Sequence, residues 1–238
     1  MNPIGLINPD FTSFDSLALS VLILSWLIIG RLIEVPPARR LSVSVIMQDY
    51  RRDWMVEFLT RDPRIFDIAL VESLRQSTAF FASASMIAIG GGVAMIGNSA
   101  TLQGLAADLT LAQASDLIRL KFMLIVGLLA NALLKFIWSH RLFSYCGVVM
   151  AAVPNDPAHE NARLRARQAA EINIQAARNF NRGLRSIYTA LGALGWLMGP
   201  WGLLVGTVLT QGLLVRREFA SQSRTVMLAR QLTDDGLR

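Results

Sequence analysis

Residues 186–215 read SIYTALGALGWLMGPWGLLVGTVLTQGLLV and contain no charged side chain. The hydrophobic part, 188–215, has 28 residues, whereas about 20 residues are enough to cross a bilayer as a helix. Gly199 and Pro200 lie near its middle, where they either kink one long, tilted helix or turn a re-entrant hairpin. A hairpin needs protein around its turn, because unpaired backbone groups are costly in lipid. We therefore expect a single kinked crossing, with the hairpin as the alternative.

Three further apolar stretches precede this one, and together they predict the fold class. The four stretches lie at about 14–33, 77–97, 122–138 and 188–215. Each is apolar enough to cross the hydrocarbon core as a helix. The predicted fold is therefore all-α, a polytopic membrane protein with four transmembrane helices and amphipathic cytoplasmic helices. We expect one membrane domain over residues 1–217 and a polar C-terminal tail at 218–238.

The composition agrees with a membrane protein. Hydrophobic residues make up 53% of the 238 residues and charged residues 17%, against about 25% charged in a typical soluble domain. This balance argues against a disordered chain and against an ordinary soluble enzyme. The net charge of +6 comes from 21 Arg and two Lys. Because these basic residues lie between and after the apolar stretches, we attribute them to membrane orientation and expect no nucleic-acid partner.

Few thiol and imidazole groups are available for catalysis or metal binding. Cys146 is the single cysteine of the sequence, which excludes a disulfide within the chain and a thiolate metal cluster. His140 and His159 are its two histidines, and no nucleophile and base occur in a recognisable pattern. We therefore predict no catalytic residue, no metal site and no cofactor, and we expect that the protein is not an enzyme.

The basic residues also predict an orientation, because cytoplasmic segments of membrane proteins are enriched in Lys and Arg. Residues 31–76 contain eight, 139–187 contain seven, the 98–121 loop contains two and the tail after 215 contains five. An N-terminus on the outer side places 15 of them in the cytoplasm and seven outside. We expect this orientation in a bacterial inner membrane, although it leaves the basic tail on the less favoured side.

The two cytoplasmic segments are predicted to contain amphipathic helices. Residues 44–60 repeat apolar side chains every three or four positions, as on one face of a helix. Asp62 and Pro63 have the pattern of a cap and a first-turn proline for a further helix, separate from the second span or continuous with it. Asp156 and Pro157 are expected to open the second cytoplasmic helix in the same way. These helices either lie on anionic lipid headgroups or pack on one another.

Glycines form the strongest local pattern of the fourth span. Gly192, Gly195, Gly199, Gly202 and Gly206 are spaced by three and four residues, which places them within about one quarter of the circumference of a helix. Small residues allow the backbones of two membrane helices to approach closely. We predict that these glycines pack against another helix, of the same chain or of a second copy.

A polar stripe is predicted along the third span. Gly127, Asn131, Lys135 and Ser139 recur every four residues and so share one helix face. Because a lysine at mid-bilayer costs about 2.5–3.5 kcal/mol, Lys135 is expected to face a partner or water. Asn131, Lys135 and Ser139 are candidates for an ion or substrate path, or for a lipid-phosphate contact. In the plainer interpretation, Lys135 extends to the headgroups and Asn131 forms one hydrogen bond between helices.

An acidic trio is a weaker candidate. Asp49, Asp53 and Glu57 are four residues apart, so their carboxylates share a helix face and could bind a divalent cation. Arg52 and Arg61 are within helical pairing distance of this set. We expect a salt-bridged surface rather than a metal site.

Two short motifs resemble a known family. RRDW at 51–54 follows the first span, and NRGLRSIY at 181–188 leads into the last one, which contains Trp196 and Gly199-Pro200. In order and placement they resemble the bacterial and plant membrane family known as domain of unknown function 599. The likeness runs from the first span through the fourth and leaves out the tail after Arg217. It implies a multi-spanning membrane protein without an established activity, so it assigns no catalytic residue.

Two functions fit these observations. The first is a non-enzymatic subunit or scaffold that forms homo-oligomers or docks to a larger membrane complex. The alternative is a small ion or solute transporter or channel, with Lys135 and Asn131 on a polar path. A membrane enzyme that acts on lipid is disfavoured because a catalytic set is missing. The expected partners are the lipid bilayer, including anionic lipids, and either a second copy or another subunit.

Overall fold

The computed structural model describes residues 11–98, Gly104 and 115–235, with side chains described as far as Ala229. Within these ranges every regular element is helical, which confirms the all-α prediction for the described part of the chain. The elements are α1 Ser13–Glu34, α2 Val43–Glu57, α3 Ile65–Gly97, α4 Ser115–Ala151, α5 Ala162–Leu194, a 3-10 turn Gly195–Met198, α6 Pro200–Phe219 and α7 Gln222–Asp235.

Three of the described helices are long and apolar enough to cross a membrane, judged by length and composition. They are Ser13–Glu34, Ile65–Gly97 and Asp116–Ala151. The spans expected at 14–33, 77–97 and 122–138 lie within these helices. α3 runs without interruption from Ile65 to Gly97, so the helix expected after Pro63 and the second apolar stretch are continuous.

The fourth span is not the single kinked helix expected over 188–215, and the expectation of four such helices is wrong for the described chain. α5 ends at Leu194, a 3-10 turn follows, and α6 begins at Pro200. Gly199 has a φ of 92°, a left-handed conformation that glycine adopts without the steric cost of a Cβ. Proline is favourable at a helix start, where its missing N–H would have no helical partner. The Gly-Pro pair therefore ends one helix and begins another.

The two arms of this segment form an antiparallel hairpin. Near the turn, Gly192 of α5 faces Gly206 of α6. Further from the turn, Gln211 donates from Nε2 to Thr189 Oγ1 at 3.2 Å. Lower residue numbers on α5 thus pair with higher residue numbers on α6, as in an antiparallel pair of helices. The chain therefore reverses direction at residues 195–199. The structure thus has the chain reversal of the hairpin alternative; its re-entrant course in a membrane stays a prediction.

Backbone contacts group the chain into two compact units, where the sequence predicted one domain over 1–217. Unit 1 contains Met1–Gly30, Ala84–Ala132 and Leu184–Leu214; unit 2 contains Arg31–Ser83, Leu133–Gly183 and Val215–Arg238. Each boundary falls inside a helix or at its end. The apolar stretches of the sequence therefore do not mark these boundaries.

Unit 1 has an apolar core that includes Leu22 and Leu203, and it also buries polar side chains and exposes apolar ones. Asp15, Lys121 and Gln211 are 3%, 1% and 4% exposed. Its large exposed apolar residues include Leu17, Leu24, Leu27, Trp201, Val205 and Val208. An apolar surface of this extent is unfavourable in water and marks contact with lipid or with other protein.

Unit 2 also has an apolar core. Met55 of α2 and Phe58, which follows the end of this helix, belong to the same core as Phe143 and Met150 of α4. Small residues of α5 complete this core: Ala162, Ala166, Ala169, Ala170 and Ala176. Their size allows α5 to lie close to its neighbours, which is how a helix rich in alanine and arginine contributes a packed face.

Two helix starts differ from the sequence predictions. α3 begins at Ile65 rather than at Pro63, and α5 begins at Ala162, well after Pro157. Asp156 accepts a hydrogen bond from the backbone N–H of Ala158 at 2.9 Å, so it stabilises a local turn instead of capping α5. The Asp-Pro pattern therefore predicted the wrong first residue for both helices.

The polar tail folds back on unit 2. Ser44 donates from its backbone N to Glu218 Oε2 at 3.0 Å. Arg224 of α7 donates from Nε to the carbonyl oxygen of Leu41 at 2.8 Å. The start of the tail is therefore anchored at the start of α2.

Candidate functional site

Four of the five predicted glycines pack inside the hairpin. A Cβ added at Gly192 would lie 3.1 Å from the carbonyl oxygen of Gly206, and one added at Gly195 would lie 2.8 Å from the carbonyl carbon of Gly202. These approaches are closer than ordinary van der Waals contact, so the arms touch only because glycine is present. Gly199 has nothing within 4 Å of such a Cβ and forms the turn. For the four packed glycines, the partner helix belongs to the same chain.

The candidate polar stripe is anchored to α5 at two of its three positions. In unit 1, Asn131 donates from Nδ2 to Ser186 Oγ at 2.7 Å. In unit 2, Ser139 donates from Oγ to the carbonyl oxygen of Ala176, also at 2.7 Å. Lys135 is half-buried, and within the described chain it has no hydrogen bond or ion pair. The stripe is thus one lysine between two positions that hold helices together.

Arg51, the first residue of the RRDW motif, reaches the core of unit 2. Its Nη1 donates to Oδ1 of Asn173, a fully buried side chain whose Nδ2 donates to Cys146 Sγ at 3.6 Å. Burial lowers the pKa of the Arg51 guanidinium, because desolvation disfavours the charged form. The single cysteine is therefore part of a hydrogen-bonded chain in the core.

Arg52 and Trp54 of the same motif join α2 to its neighbours. Arg52 donates from Nε to Glu171 at 2.9 Å and from Nη1 to Asp49 at 3.0 Å. The hydrogen bond to Glu171 raises the pKa of Arg52. Trp54 donates from Nε1 to Asp67 Oδ1 at 2.7 Å. The motif that carries the family resemblance thus supplies contacts between helices.

The NRGLRSIY motif has a similar role in unit 2. Arg182 donates from Nε to Glu34 at 2.7 Å and also from Nη2 to the second carboxylate oxygen. These hydrogen bonds raise the pKa of Arg182. One residue further, a Cβ at Gly183 would lie 2.7 Å from the ring of Phe136, so this glycine allows an aromatic ring to pack on the α5 backbone.

The three residues of the acidic trio lie on the exposed surface of α2. Asp49 pairs with Arg52 at 3.0 Å, whereas Asp53 and Glu57 are exposed. Among the described residues, no group of three His, Cys, Asp or Glu side chains could hold a metal ion. The arrangement is that of a charged helix surface.

Sequence inspection missed a buried polar cluster in unit 1. Trp196 donates from Nε1 to Asp15 Oδ1 at 2.8 Å, and Thr12 donates from Oγ1 to Asp15 Oδ2 at 2.6 Å. The Nζ atom of Lys121 lies 5.6 Å from the centre of the Trp196 ring. The sequence did show that Asp15 and Lys121 lie at the ends of the first and third apolar stretches, and this position could have indicated the cluster. The hairpin turn, which brings Trp196 to them, was not visible in the sequence.

Sequence inspection also missed a cleft between α2 and α5 in unit 2. Its volume is about 560 Å³. The cleft is lined by Arg52, Met55, Val56, Leu59, Thr60, Pro157, Arg163, Ala166, Arg167, Ala170 and Glu171. On α5 the lining positions, from Arg163 to Glu171, are i, i+3, i+4, i+7 and i+8, one helical face. The same spacing runs from Arg52 of α2 to Thr60, in the turn that follows this helix. This periodicity is present in the sequence, but only the fold shows that the two faces meet and leave space between them.

Comparison with known proteins identifies a family. The model of the family described as "Protein of unknown function, DUF599" matches residues 17–223. No curated protein and no solved structure matches the chain. The match extends past Arg217, where the resemblance was expected to end, and reaches the start of α7. The chain therefore belongs to the DUF599 family of proteins of unknown function.

Proposed function

We propose that this protein is a non-enzymatic integral membrane protein that serves as a scaffold or docking subunit. The supporting observation is how the motif side chains are used. Arg52, Trp54 and Arg182 each donate to a carboxylate of another helix. These bonds hold the helices of unit 2 in fixed positions, as a scaffold requires.

Insertion in a bilayer is supported by unit 1. Three described helices are apolar enough to cross a membrane, and the surface of unit 1 is apolar while its interior holds Asp15, Lys121 and Gln211. In lipid, polar groups are favourable only where protein surrounds them. We propose that residues 188–215 enter the bilayer as the hairpin, in addition to the three spans.

The hairpin runs beside α1 within unit 1. Trp196 at its turn binds Asp15 in the first turn of α1. A Cβ at Gly30, fifteen residues further along α1, would lie 3.8 Å from Nε of Arg185. Fifteen helical residues span about 22 Å, most of the hydrocarbon thickness of about 30 Å. The turn is therefore proposed to lie at the depth of the α1 N-terminus, and α6 returns the chain to the cytoplasm.

This topology removes the difficulty with the basic tail. With the tail cytoplasmic, 20 of the 23 Lys and Arg residues lie in cytoplasmic segments. Arg119 and Lys121 remain on the outer side and Lys135 in the third span. The distribution follows the positive-inside rule better than a single fourth crossing does, and it supports an N-out orientation in a bacterial inner membrane.

Accessibility of the two chain ends tests the topology. In spheroplasts, an epitope before Met1 should be reached by an externally added antibody, whereas one after Arg238 should be reached only after permeabilisation. An epitope after Arg238 that is accessible in intact spheroplasts would contradict the hairpin topology. A known cytoplasmic protein of the same cells reports leakage.

The glycine contacts alter how assembly is expected to occur. Gly192, Gly195, Gly202 and Gly206 are occupied within the hairpin, so a second copy or another subunit is proposed to bind elsewhere. Purification from native membranes in a mild non-ionic detergent, followed by native mass measurement, tests the docking role. We expect a mass above that of one 26.2 kDa chain with its micelle. A strict monomer without co-purifying protein would contradict the scaffold proposal.

A transporter or channel is the second candidate, supported by the placement of Lys135. This half-buried lysine lies between Asn131 and Ser139, both held by α5. Reconstituted vesicles should then show an ion or solute flux that Lys135→Ala alters and that Arg178→Gln leaves unchanged. The absence of flux for common ions and solutes would remove this candidate.

A further inference from the structure

We propose that the cleft between α2 and α5 binds a small amphiphilic anion, a single apolar chain that ends in a carboxylate or phosphate group. This inference goes beyond the scaffold function and does not depend on it, because all lining residues belong to unit 2.

The floor of the cleft is apolar. Met55, Leu59, Ala166 and Ala170 line it and are buried. Alanine at positions 166 and 170 leaves open the volume that a larger side chain on α5 would fill. An apolar chain laid along this floor gains free energy by removing these surfaces and its own from water.

The rim carries an uncompensated positive charge. Arg52 and Glu171 form an ion pair at one end of the cleft. Arg163 and Arg167 are exposed on the rim, and within the described chain no hydrogen bond or ion pair engages their guanidinium groups. Two arginines four residues apart on a helix are neighbours, and their forked donors match the oxygens of carboxylate and phosphate.

The dimensions indicate the size of the ligand. A volume of about 560 Å³ lies within the range of small-molecule sites, about 300–1,000 Å³. The lined part of α5 covers the nine residues from Arg163 to Glu171, about 12 Å. A chain of about ten carbons, with bonds of about 1.5 Å in zigzag, matches this length. The floor is too short for the several turns of a docked partner helix, so we favour a small ligand.

Photo-crosslinking tests the site in the intact protein. The full chain in phosphatidylcholine nanodiscs is irradiated with decanoate that carries a diazirine near its methyl end, and labelled residues are mapped by mass spectrometry. We expect labels on cleft residues of α2 and α5. Decyl phosphate should compete with this labelling, whereas decanol and inorganic phosphate should not, because each lacks one half of the recognised chemistry.

Matched variants separate charge from shape. Arg163→Gln and Arg167→Gln should each raise the concentration of decyl phosphate that halves the labelling by about tenfold. This is the change expected from loss of one charge-assisted hydrogen bond. Arg178→Gln removes the same charge from α5 outside the cleft and should leave competition unchanged. Ala166→Leu keeps the charges but fills the floor, and it should reduce labelling of the cleft.

Several outcomes would overturn the proposal. Labels confined to the apolar surfaces of α1, α3 and α6 would show partition into lipid alone. Equal competition by decanol would remove the role of the arginines, and equal competition by inorganic phosphate would remove the role of the apolar floor. The competition experiment uses the wild-type protein, so it decides the question even if a variant fails to fold.

Discussion

The two units of this protein differ in how many charged residues they contain. Among the described residues of unit 1 only five are charged: Asp15, Asp116, Arg119, Lys121 and Arg185. In unit 2, residues 31–83 and 133–183 alone contain 25 charged residues. Both units have an apolar core, and both bury polar side chains, such as Asp15 and Lys121 in unit 1 and Asp67 and Asn173 in unit 2. The charged side chains are therefore concentrated in unit 2, whereas unit 1 contains few of them.

The units also differ in the contacts that hold their helices together. In unit 1, α5 and α6 meet backbone to backbone at Gly192, Gly195, Gly202 and Gly206, the kind of contact that is effective where lipid competes for apolar side chains. In unit 2, the helices are joined by an apolar core and by side-chain pairs such as Arg52 with Glu171. Substitutions should therefore have different effects in the two units.

The largest effect is expected from Gly195→Leu in unit 1. A Cβ at this position would already lie 2.8 Å from the carbonyl carbon of Gly202, so a leucine must separate the arms of the hairpin. We expect the free energy of unfolding to fall by about 3 kcal/mol, which is measured as aggregation or a lower Tm in detergent. Gly127→Leu is the control, because its Cβ would have nothing within 4 Å. Equal behaviour of the two variants would contradict close packing of the hairpin.

A smaller effect is expected from Asp67→Ala in unit 2. Asp67 is fully buried and accepts hydrogen bonds from Trp54 and Arg61. Removing one partner of a buried pair costs about 3 kcal/mol at the lower end, and the half-exposed Arg61 reduces this toward about 2 kcal/mol. Thermal unfolding measures the loss, with the exposed Asp53→Ala as control. A Tm unchanged by Asp67→Ala would show that these bonds do not support unit 2.

The smallest losses of stability are expected from Arg52→Gln in unit 2 and Asn131→Ala in unit 1. The two losses should differ in how they depend on salt concentration. Arg52→Gln breaks an exposed pair in unit 2 and should cost about 0.5 kcal/mol, a loss that disappears near 1 M salt because screening is then almost complete. Asn131→Ala removes a neutral hydrogen bond in unit 1 and should cost about 0.6 kcal/mol at any ionic strength. Equal salt dependence of the two losses would contradict the proposed difference.

The sequence predicted the elements better than their arrangement. Uncharged stretches located α1 and the apolar parts of α3 and α4, because hydrophobicity over 20 residues is a local property. The start of α5 was misplaced, since Asp156 forms a turn with Ala158 where a helix cap was expected. The kinked helix and the hairpin over 188–215 have the same sequence signature, so the sequence could not separate them.

The candidate sites show the same division. The spacing of the glycines predicted a packed face, but Gly199 belongs to the turn because its φ of 92° ends the helix. Arg163 and Arg167 were visible as charges of an amphipathic helix. Their place on the rim of a cleft depends on α2, more than a hundred residues earlier in the chain. Periodicity describes a face and contains no information about what lies opposite it.

The sequence by itself determined that the described chain is helical, which stretches are apolar enough for lipid, and that small residues line one face near the C-terminus. These properties depend on neighbours along the chain and on transfer free energies of side chains. The tertiary structure alone decided that the last apolar segment reverses at Gly199 and that α2 and α5 leave a cleft. Both depend on contacts between distant residues, whose free energy exists only after the helices have packed.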